Sequence, residues 1–213
     1  MKPELPAHVR YQAIIAKLEA GQNSGTPLPR LLLHSCCAPC STSVIERLSP
    51  HFLITVYYYN PNIDEQDEYA KRAKEQQTLL ERMTLPNAVN FVAGEYRSEI
   101  FHSAVAGHES DREGGTRCGI CFALRLDETA KKAKELSIPW FCTTLSVSPL
   151  KDTRKINALG EAAAGKYGVS WLYSDFKKGD GFKRSVELSA IFSLYRQAWC
   201  GCSFSRRDSV DRT

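Results

Sequence analysis

Short apolar runs alternate with segments of helical periodicity along most of the chain. Strands, marked by runs of leucine, β-branched and aromatic residues, are predicted at 30–34, 52–59, 89–93, 141–145 and 170–173. Helices, marked by apolar positions three and four residues apart, are predicted at 8–20, 41–48, 65–82, 119–136 and 155–167. This alternation predicts an α/β fold with a mainly parallel sheet and helices on both of its faces.

Turn-forming residues at 21–27 separate the first predicted helix from the first predicted strand. We therefore expect a peripheral helix and loop at 1–29, a single α/β domain at 30–206 and a tail at 207–213. A chain of 213 residues is long enough for one domain of ordinary size. Because ligands bind beyond the carboxyl ends of parallel strands, the loops that follow the strands are the expected place for a functional site.

Composition and charge narrow the class of protein. The chain is 43% hydrophobic and 24% charged, and none of its apolar runs approaches the ~20 residues that span a bilayer. The first thirty residues carry charges throughout and lack the apolar segment of a secretory signal, so we predict a cytoplasmic protein with no membrane partner. From residue 151 onward, twelve Lys/Arg face seven Asp/Glu, which is compatible with an RNA partner or with an ordinary solvated surface.

Eight cysteines are the strongest chemical signal in the sequence. The cytosol keeps thiols reduced, so this number predicts metal or redox chemistry rather than a disulfide framework. Seven of them fall in three groups, which are Cys36, Cys37 and Cys40, then Cys118 and Cys121, then Cys200 and Cys202. Cys142 stands alone in a predicted strand, where we expect a buried core thiol.

The spacing within each group restricts its chemistry. Adjacent Cys36 and Cys37 cannot easily form a relaxed disulfide with each other, so they suit metal ligation. The Cys118–Cys121 spacing occurs in zinc, iron–sulfur and thioredoxin-like sites. The third group could form a strained, easily reduced disulfide or bind a second metal. Structural zinc would leave three clustered thiols unused, which favours iron–sulfur; zinc and metal-free reactive thiols stay open.

Polar residues at predicted strand and helix ends are candidate substrate contacts, and these are Tyr59, Asn60, Lys151, Asp175 and Arg196. Tyr59 could stack on a nucleobase. His34, just before the first cysteine group, could donate a hydrogen bond to cluster sulfur or serve as a core histidine. Each of these residues also has an ordinary interpretation as a packing, capping or solvated side chain.

Six segments, in this order, resemble the QueH family of epoxyqueuosine reductases. They are 33–40 (LHSCCAPC), 59–63 (YNPNI), 117–121 (RCGIC), 143–151 (TTLSVSPLK), 175–178 (DFKK) and 194–202 (LYRQAWCGC). The resemblance extends over about residues 30–206, nearly the whole chain. It implies a three-layer α/β/α fold of the adenine nucleotide alpha hydrolase-like type.

The activity implied by the resemblance is a two-electron removal of the epoxide oxygen of epoxyqueuosine, in a tRNA anticodon, to give queuosine. It also implies a [4Fe–4S] cluster without cobalamin, an anticodon stem-loop as partner and an electron donor such as ferredoxin or flavodoxin. The implied cluster ligands are Cys36, Cys37, Cys118 and Cys121. Cys200 and Cys202 would form a redox-active pair, and with Cys40 they are the expected catalytic residues.

Cys40 departs from the pattern of some family members, which have an aspartate there that could bind an additional iron. A thiolate could take the same role and would favour a softer metal. A cluster with four cysteine ligands has no open coordination position, which is why we expect Cys40 and the third cysteine group to lie nearby.

Two alternative functions predict different properties of the protein. A zinc-stabilised RNA-binding module would be colourless and without catalysis. A cluster-dependent tRNA thiolation enzyme would use ATP, but cysteines stand where a Ser/Gly phosphate loop would follow the first predicted strand. That replacement argues against the second alternative.

Overall fold

A parallel sheet forms the centre of the protein, whose computed structural model describes residues 5–210, with side chains up to residue 207. Its strands are β1 (Arg30–His34), β2 (Leu53–Tyr58), β3 (Asn90–Ala93), β4 (Trp140–Thr143) and β5 (Ser170–Trp171). Neighbouring strands pair in parallel in the order β3-β2-β1-β4-β5. The predicted parallel sheet is confirmed.

Helices surround this sheet. They are α1 (Ala7–Asn23), α2 (Ala38–Leu48), α3 (Gln66–Arg82), α4 (Ser98–Ala104), α5 (Thr116–Glu135), α6 (Thr153–Tyr167), α7 (Gly181–Ile191) and α8 (Ser203–Val210). Helix α2 packs against α3 and α7, whereas α5 packs against α6 and contacts β1 and β4. These groupings give the expected three-layer α/β/α arrangement. Among residues 5–210, no helix combines the length and the apolar character needed to cross a bilayer.

The two helices that follow the first and second cysteine groups begin three residues earlier than the sequence predicts, and the shift matters for the cysteines. Helix α2 starts at Ala38 rather than at 41, because Pro39 occupies the first turn, where its missing N–H costs nothing. Cys37 is consequently the N-cap residue. Helix α5 starts at Thr116 rather than at 119, so Cys118 lies inside the first helical turn instead of before the helix.

The N-terminal helix is docked on the domain. The rings of Tyr11 and Phe176 meet edge to face with centroids 5.9 Å apart, and the Arg10 guanidinium lies 3.1 Å from the Tyr173 ring centroid. At the other boundary, α8 continues past residue 206. The division into 1–29, 30–206 and 207–213 stays a prediction, and residues 1–4 and 211–213 lie outside the described part of the chain.

The strand order reverses direction between β1 and β4, which places a crevice at their carboxyl ends. Both strands are buried there, and Leu33 and His34 of β1 align with Cys142 and Thr143 of β4. Cys142 is fully buried within the main apolar core, so the prediction of a core thiol is confirmed. The 3₁₀ turn Thr144–Val147, which follows β4, replaces the last residues of the strand predicted at 141–145.

Two glycines of α6 provide a matched test of its packing. A Cβ added at Gly160 would overlap the ring of Trp171, whereas a Cβ at Gly165 would meet nothing within 4 Å. We expect Gly160→Ala to lower the free energy of unfolding by about 1–3 kcal/mol through overpacking. Gly165→Ala should raise it by about 0.5–1 kcal/mol, because alanine loses less backbone entropy in a helix. Urea unfolding of both variants tests this, and an equal effect of the two changes would contradict the close helix–strand contact.

Candidate active site

The first cysteine group lies in the loop between β1 and α2 and in the first turn of α2. The Sγ atoms of Cys36, Cys37 and Cys40 all lie within 4.8 Å of one another, and those of Cys36 and Cys37 are 3.9 Å apart. The Thr144 hydroxyl donates to Cys36 Sγ at 3.2 Å and accepts the Cys36 N–H at 3.1 Å. Since metal–thiolate bonds are about 2.3 Å long, this spacing could bring the three sulfurs around a single ion.

Hydrogen bonds among these three thiols concentrate the negative charge on one of them. The thiols of Cys37 and Cys40 hydrogen-bond to Cys36 and hold its pKa well below the usual range. The same bond to Cys36 raises the pKa of Cys37, and it raises the pKa of Cys40 to about 12. A bound cation would displace the remaining protons, as metal binding to thiols generally does.

The second cysteine group lies on the first two turns of α5. The Gly114 N–H donates to Cys118 Sγ at 3.2 Å. Cys121 is buried, and Arg125, one turn further along the helix, donates to its Sγ at 3.9 Å. Burial raises the pKa of both thiols, that of Cys121 to about 11. These two thiols therefore need a metal or further positive charge to become thiolates.

The third group forms a close pair of free thiols, with Cys200 Sγ and Cys202 Sγ 3.5 Å apart. A hydrogen bond from the Cys202 thiol lowers the pKa of Cys200 to about 6 and, in return, raises the pKa of Cys202. The Ser205 N–H donates to Cys202 Sγ at 3.4 Å. Cys200 is thus the thiolate of the pair, and Cys202 holds the proton.

The loop that carries this pair is fastened to the segment after β2. Asn62 Nδ2 donates to the Cys200 carbonyl at 3.1 Å, and the Asp64 N–H donates to the Gly201 carbonyl at 3.3 Å. Gly201 has φ +120°, and a Cβ there would lie 2.6 Å from Ile63 Cγ1. Glycine is required at this position because both the backbone conformation and the close approach exclude a side chain.

Two adjoining cavities bring the three groups together. The larger one, about 240 Å³, is lined by Cys36, Cys37, Cys40 and Cys200 together with other residues. The smaller one, about 110 Å³, is lined by Cys118, Cys121, Cys200 and Cys202 together with others. Both cavities share Glu113, Arg125, Leu150, Lys151 and Cys200. The first two cysteine groups therefore lie on opposite sides of a shared wall, each in its own cavity.

Two cationic residues, Arg125 and Lys151, line both cavities. Arg125 is 3% exposed, and besides Cys121 it contacts Asn60 Oδ1 and His34 Nε2. Burial disfavours the charge of Lys151, but the neighbouring thiols of Cys36 and Cys40 outweigh this and raise its pKa. Both residues remain charged and offset the negative charge of thiolates.

His34, the last residue of β1, lies in the protein interior next to the first cysteine group. It is fully buried, with Nδ1 2.7 Å from Thr143 Oγ1 and Nε2 3.1 Å from the Tyr59 carbonyl. Burial and the charge of Arg125 lower the pKa of His34 to about 3, so the ring is neutral. Both ring nitrogens have protein partners, which agrees with the interpretation as a core histidine rather than a donor to cluster sulfur.

The five predicted substrate contacts lie in different places. Lys151 and Arg196 line the larger cysteine cavity; Tyr59, Asn60 and Asp175 are not among the described residues that line either one. Asn60 is 1% exposed, and its amide spans the Ser35 carbonyl and Arg125. Tyr59 stacks on Tyr57 and lines a separate cavity of about 260 Å³. Asp175 accepts a hydrogen bond from Thr153.

Two side chains that donate to cysteine sulfur were missed by the sequence analysis, those of Arg125 and Thr144. Arg125 follows Cys121 by four residues on α5, so helical spacing could have identified it as a neighbour of the thiol. Thr144 became visible only through the pairing of β4 with β1, which brings it to Cys36 across a long stretch of sequence.

Thr144 offers a test of how Cys36 is held. We expect Thr144→Val to lower the free energy of unfolding of the metal-free protein by about 1–3 kcal/mol, because the Cys36 N–H loses its partner. Thr144→Ser keeps the hydroxyl and should stay close to the original stability. Urea unfolding and the rate of Cys36 alkylation are the measurements. Equal stability of the valine and serine variants would show that the hydroxyl does not support the loop.

Comparison with known proteins gives consistent matches. A family model described as epoxyqueuosine reductase QueH matches residues 31–208. A protein named epoxyqueuosine reductase QueH from Streptococcus pyogenes serotype M1 is 37% identical over 93% of this chain and 79% of its own length. One of the same name from Staphylococcus aureus is 37% identical over 92% of this chain and 84% of its own length. A protein of the same name from Haemophilus influenzae is 38% identical over 84% of this chain and 73% of its own length.

Proposed function

Because the chain belongs to the QueH family of epoxyqueuosine reductases, we propose that it removes the epoxide oxygen of epoxyqueuosine in tRNA to give queuosine. The chain is an oxidoreductase. The reaction requires two electrons and two protons for each epoxide, and it yields an alkene and one water. The observation that supports this proposal best is that seven cysteines line two adjoining cavities beside Arg125 and Lys151.

We assign a [4Fe–4S] cluster to four of these cysteines, and they are Cys36, Cys37, Cys118 and Cys121. The donor set fits, because soft thiolates are the ligands that iron–sulfur clusters use. The charges of buried Arg125 and partly buried Lys151 would offset the negative charge that four thiolates bring. Such a cluster, when bound, supplies electrons one at a time.

The third cysteine group suits the two-electron requirement of the reaction. As a dithiol, Cys200 and Cys202 would release two electrons and two protons on forming one disulfide, which balances the epoxide reduction. The Sγ separation of 3.5 Å leaves only a small movement for that bond. A donor of the ferredoxin or flavodoxin type would reduce the disulfide again. The alternative role of this pair is to bind a second metal.

Cys40 is the thiol of the first group that the cluster assignment leaves free. Its place within 4.8 Å of Cys36 and Cys37 suits a ligand to an additional metal ion. Lys151 and Arg196 line the same cavity and are proposed to bind the substrate RNA. Since the substrate is a tRNA, we also propose that the protein works in the cytoplasm.

Anaerobic purification followed by metal analysis and an activity assay tests the proposed function. We expect about four irons and four sulfides per chain, with broad absorbance near ~400 nm. The loaded protein should convert epoxyqueuosine to queuosine in tRNA, as seen by mass spectrometry of the nucleosides, without ATP. Zinc without sulfide, together with no conversion, would instead indicate a zinc-stabilised RNA-binding module. A requirement for ATP would indicate thiolation.

A further inference from the structure

Exposed apolar side chains lie at the mouth of the larger cysteine cavity. Leu150 is 64% exposed and Phe182, in the first turn of α7, is 38% exposed, yet both line the cavity that holds Cys36 and Cys200. Large apolar side chains placed in solvent at the entrance to a functional cavity mark a contact surface for a ligand. A ligand with an apolar face would cover both of these side chains.

The ring of Phe182 lies next to the guanidinium group of Arg196. The Arg196 guanidinium lies 5.6 Å from the Phe182 ring centroid. Arg196 is itself fixed to α7, because its Nη1 donates to the Ser185 carbonyl at 3.3 Å and to Ser189 Oγ at 3.0 Å. A ring positioned in this way loses little conformational entropy when a ligand binds on it.

Of the described residues that line the larger cavity, two are aromatic, Phe182 and Trp199. The Trp199 ring already has guanidinium partners, since Arg206 lies 4.1 Å and Arg72 lies 5.1 Å from its centroid. Phe182 has a larger exposed fraction than Trp199 and is the aromatic side chain better placed for a ligand outside the cavity.

The charge around this entrance identifies the class of ligand. Basic residues predominate in the lining of the larger cavity, where Arg72, Arg125, Lys151 and Arg196 accompany the single carboxylate of Glu113. A nucleic acid with unstacked bases fits this entrance, because it combines flat apolar faces with negative charge. Duplex RNA does not fit, because its base faces are covered.

We propose that Phe182, together with Leu150, is a stacking surface for an unstacked base of a single-stranded RNA loop. The inference rests on the proposed function, in which that loop is the tRNA anticodon loop. The base on Phe182 would lie at the entrance while its neighbour enters the cavity beside Cys36 and Cys200. Arg196 is the positioning residue that orients the ring.

Binding of a synthetic RNA hairpin to the metal-loaded full chain, followed by fluorescence anisotropy, tests this. The hairpin has the sequence of an anticodon stem-loop with unmodified guanosine at the wobble position. We expect Phe182→Ala to raise Kd about tenfold, the scale of losing one base–aromatic stack. Phe182→Tyr keeps the ring and should stay within about twofold of the original Kd, whereas Phe182→Leu, which has no ring, should resemble alanine.

Ile191 provides the matched control on the same helix. It is 63% exposed, and it is not among the described residues that line the cavity, so Ile191→Ala should leave Kd unchanged. An unchanged Kd for Phe182→Ala, or equal Kd values for the hairpin and a duplex of the same sequence, would overturn the proposal. So would a Phe182→Ala variant that keeps its RNA affinity but loses reduction by a protein electron donor.

The same preparations separate this inference from the proposed function. Conversion of epoxyqueuosine by the original protein, combined with an unaffected Phe182→Ala, would reject the stacking surface and leave the reductase. No conversion, combined with a tenfold weaker hairpin complex for Phe182→Ala, would leave the RNA contact and reject the reductase.

Discussion

Cys121→Ala is expected to abolish cluster binding, whereas Cys142→Ala should leave iron and sulfide at the level of the original protein. Cys121 lines the smaller cysteine cavity, but Cys142 is enclosed by the apolar core. Loss of an outer-shell partner alone lowers metal affinity roughly 10–100-fold, and loss of a ligand should cost at least as much. Iron and sulfide analysis after anaerobic reconstitution is the measurement, with activity measured on the same samples.

The comparison of Cys121→Ala with Cys142→Ala is informative because each change removes one buried thiol. Alanine at Cys142 should lower stability through a small cavity, so a general loss of stability would appear in both variants. A Cys121→Ala protein that keeps four irons and four sulfides would contradict the ligand assignment. Loss of iron from Cys142→Ala at unchanged folding, seen by circular dichroism, would contradict it as well.

Arg125→Gln is expected to make the bound cluster harder to reduce. Arg125 is a buried cation that donates to Cys121 Sγ, and hydrogen bonds to sulfur and local charge set cluster potentials. Without its charge, adding an electron costs more, so the midpoint potential should become more negative. We expect at least a tenfold change in the one-electron equilibrium constant, which corresponds to about 59 mV.

Redox titration of the loaded protein is the measurement, and Arg125→Lys is the matched variant. Lysine keeps the charge but loses the planar group that spans Cys121, Asn60 and His34. The midpoint potential of the Arg125→Lys variant should therefore lie between those of the original protein and the Arg125→Gln variant. A glutamine variant with a full cluster and an unchanged potential would show that Arg125 supports the loop around Asn60 without influencing the metal.

Hydrophobic periodicity in the sequence was sufficient to predict the strands of the sheet but not all of the helices. Every predicted strand is present, although β5 is reduced to Ser170–Trp171 and the apolar residues of the edge strand β3 are only partly buried. Helices α4, α7 and α8 were not predicted. On α7, Phe182, Val186 and Ile191 are exposed, so its apolar residues do not define one core-facing side. Such a helix is visible only through its packing against α2.

The candidate site was predictable where residue type alone carries the chemistry. The cysteine groups were identified by spacing, and the structure brings all three to adjoining cavities. Asn60 was expected at the substrate because it ends a strand, but its amide is buried in contact with Ser35 and Arg125. The sequence indicates that a residue is near a strand end, but not whether it faces the core or the crevice.

The attachment of Cys200 and Gly201 to the segment after β2 has a consequence for protein synthesis. The thiols of the first two groups leave the ribosome well before the third, by on the order of 10 s at typical elongation rates. During that interval residues 196–200, which line the larger cysteine cavity beside Cys36, Cys37 and Cys40, are not yet available to cover these thiols. The nascent chain would therefore expose its earlier thiols to oxygen and to adventitious metals until this segment emerges.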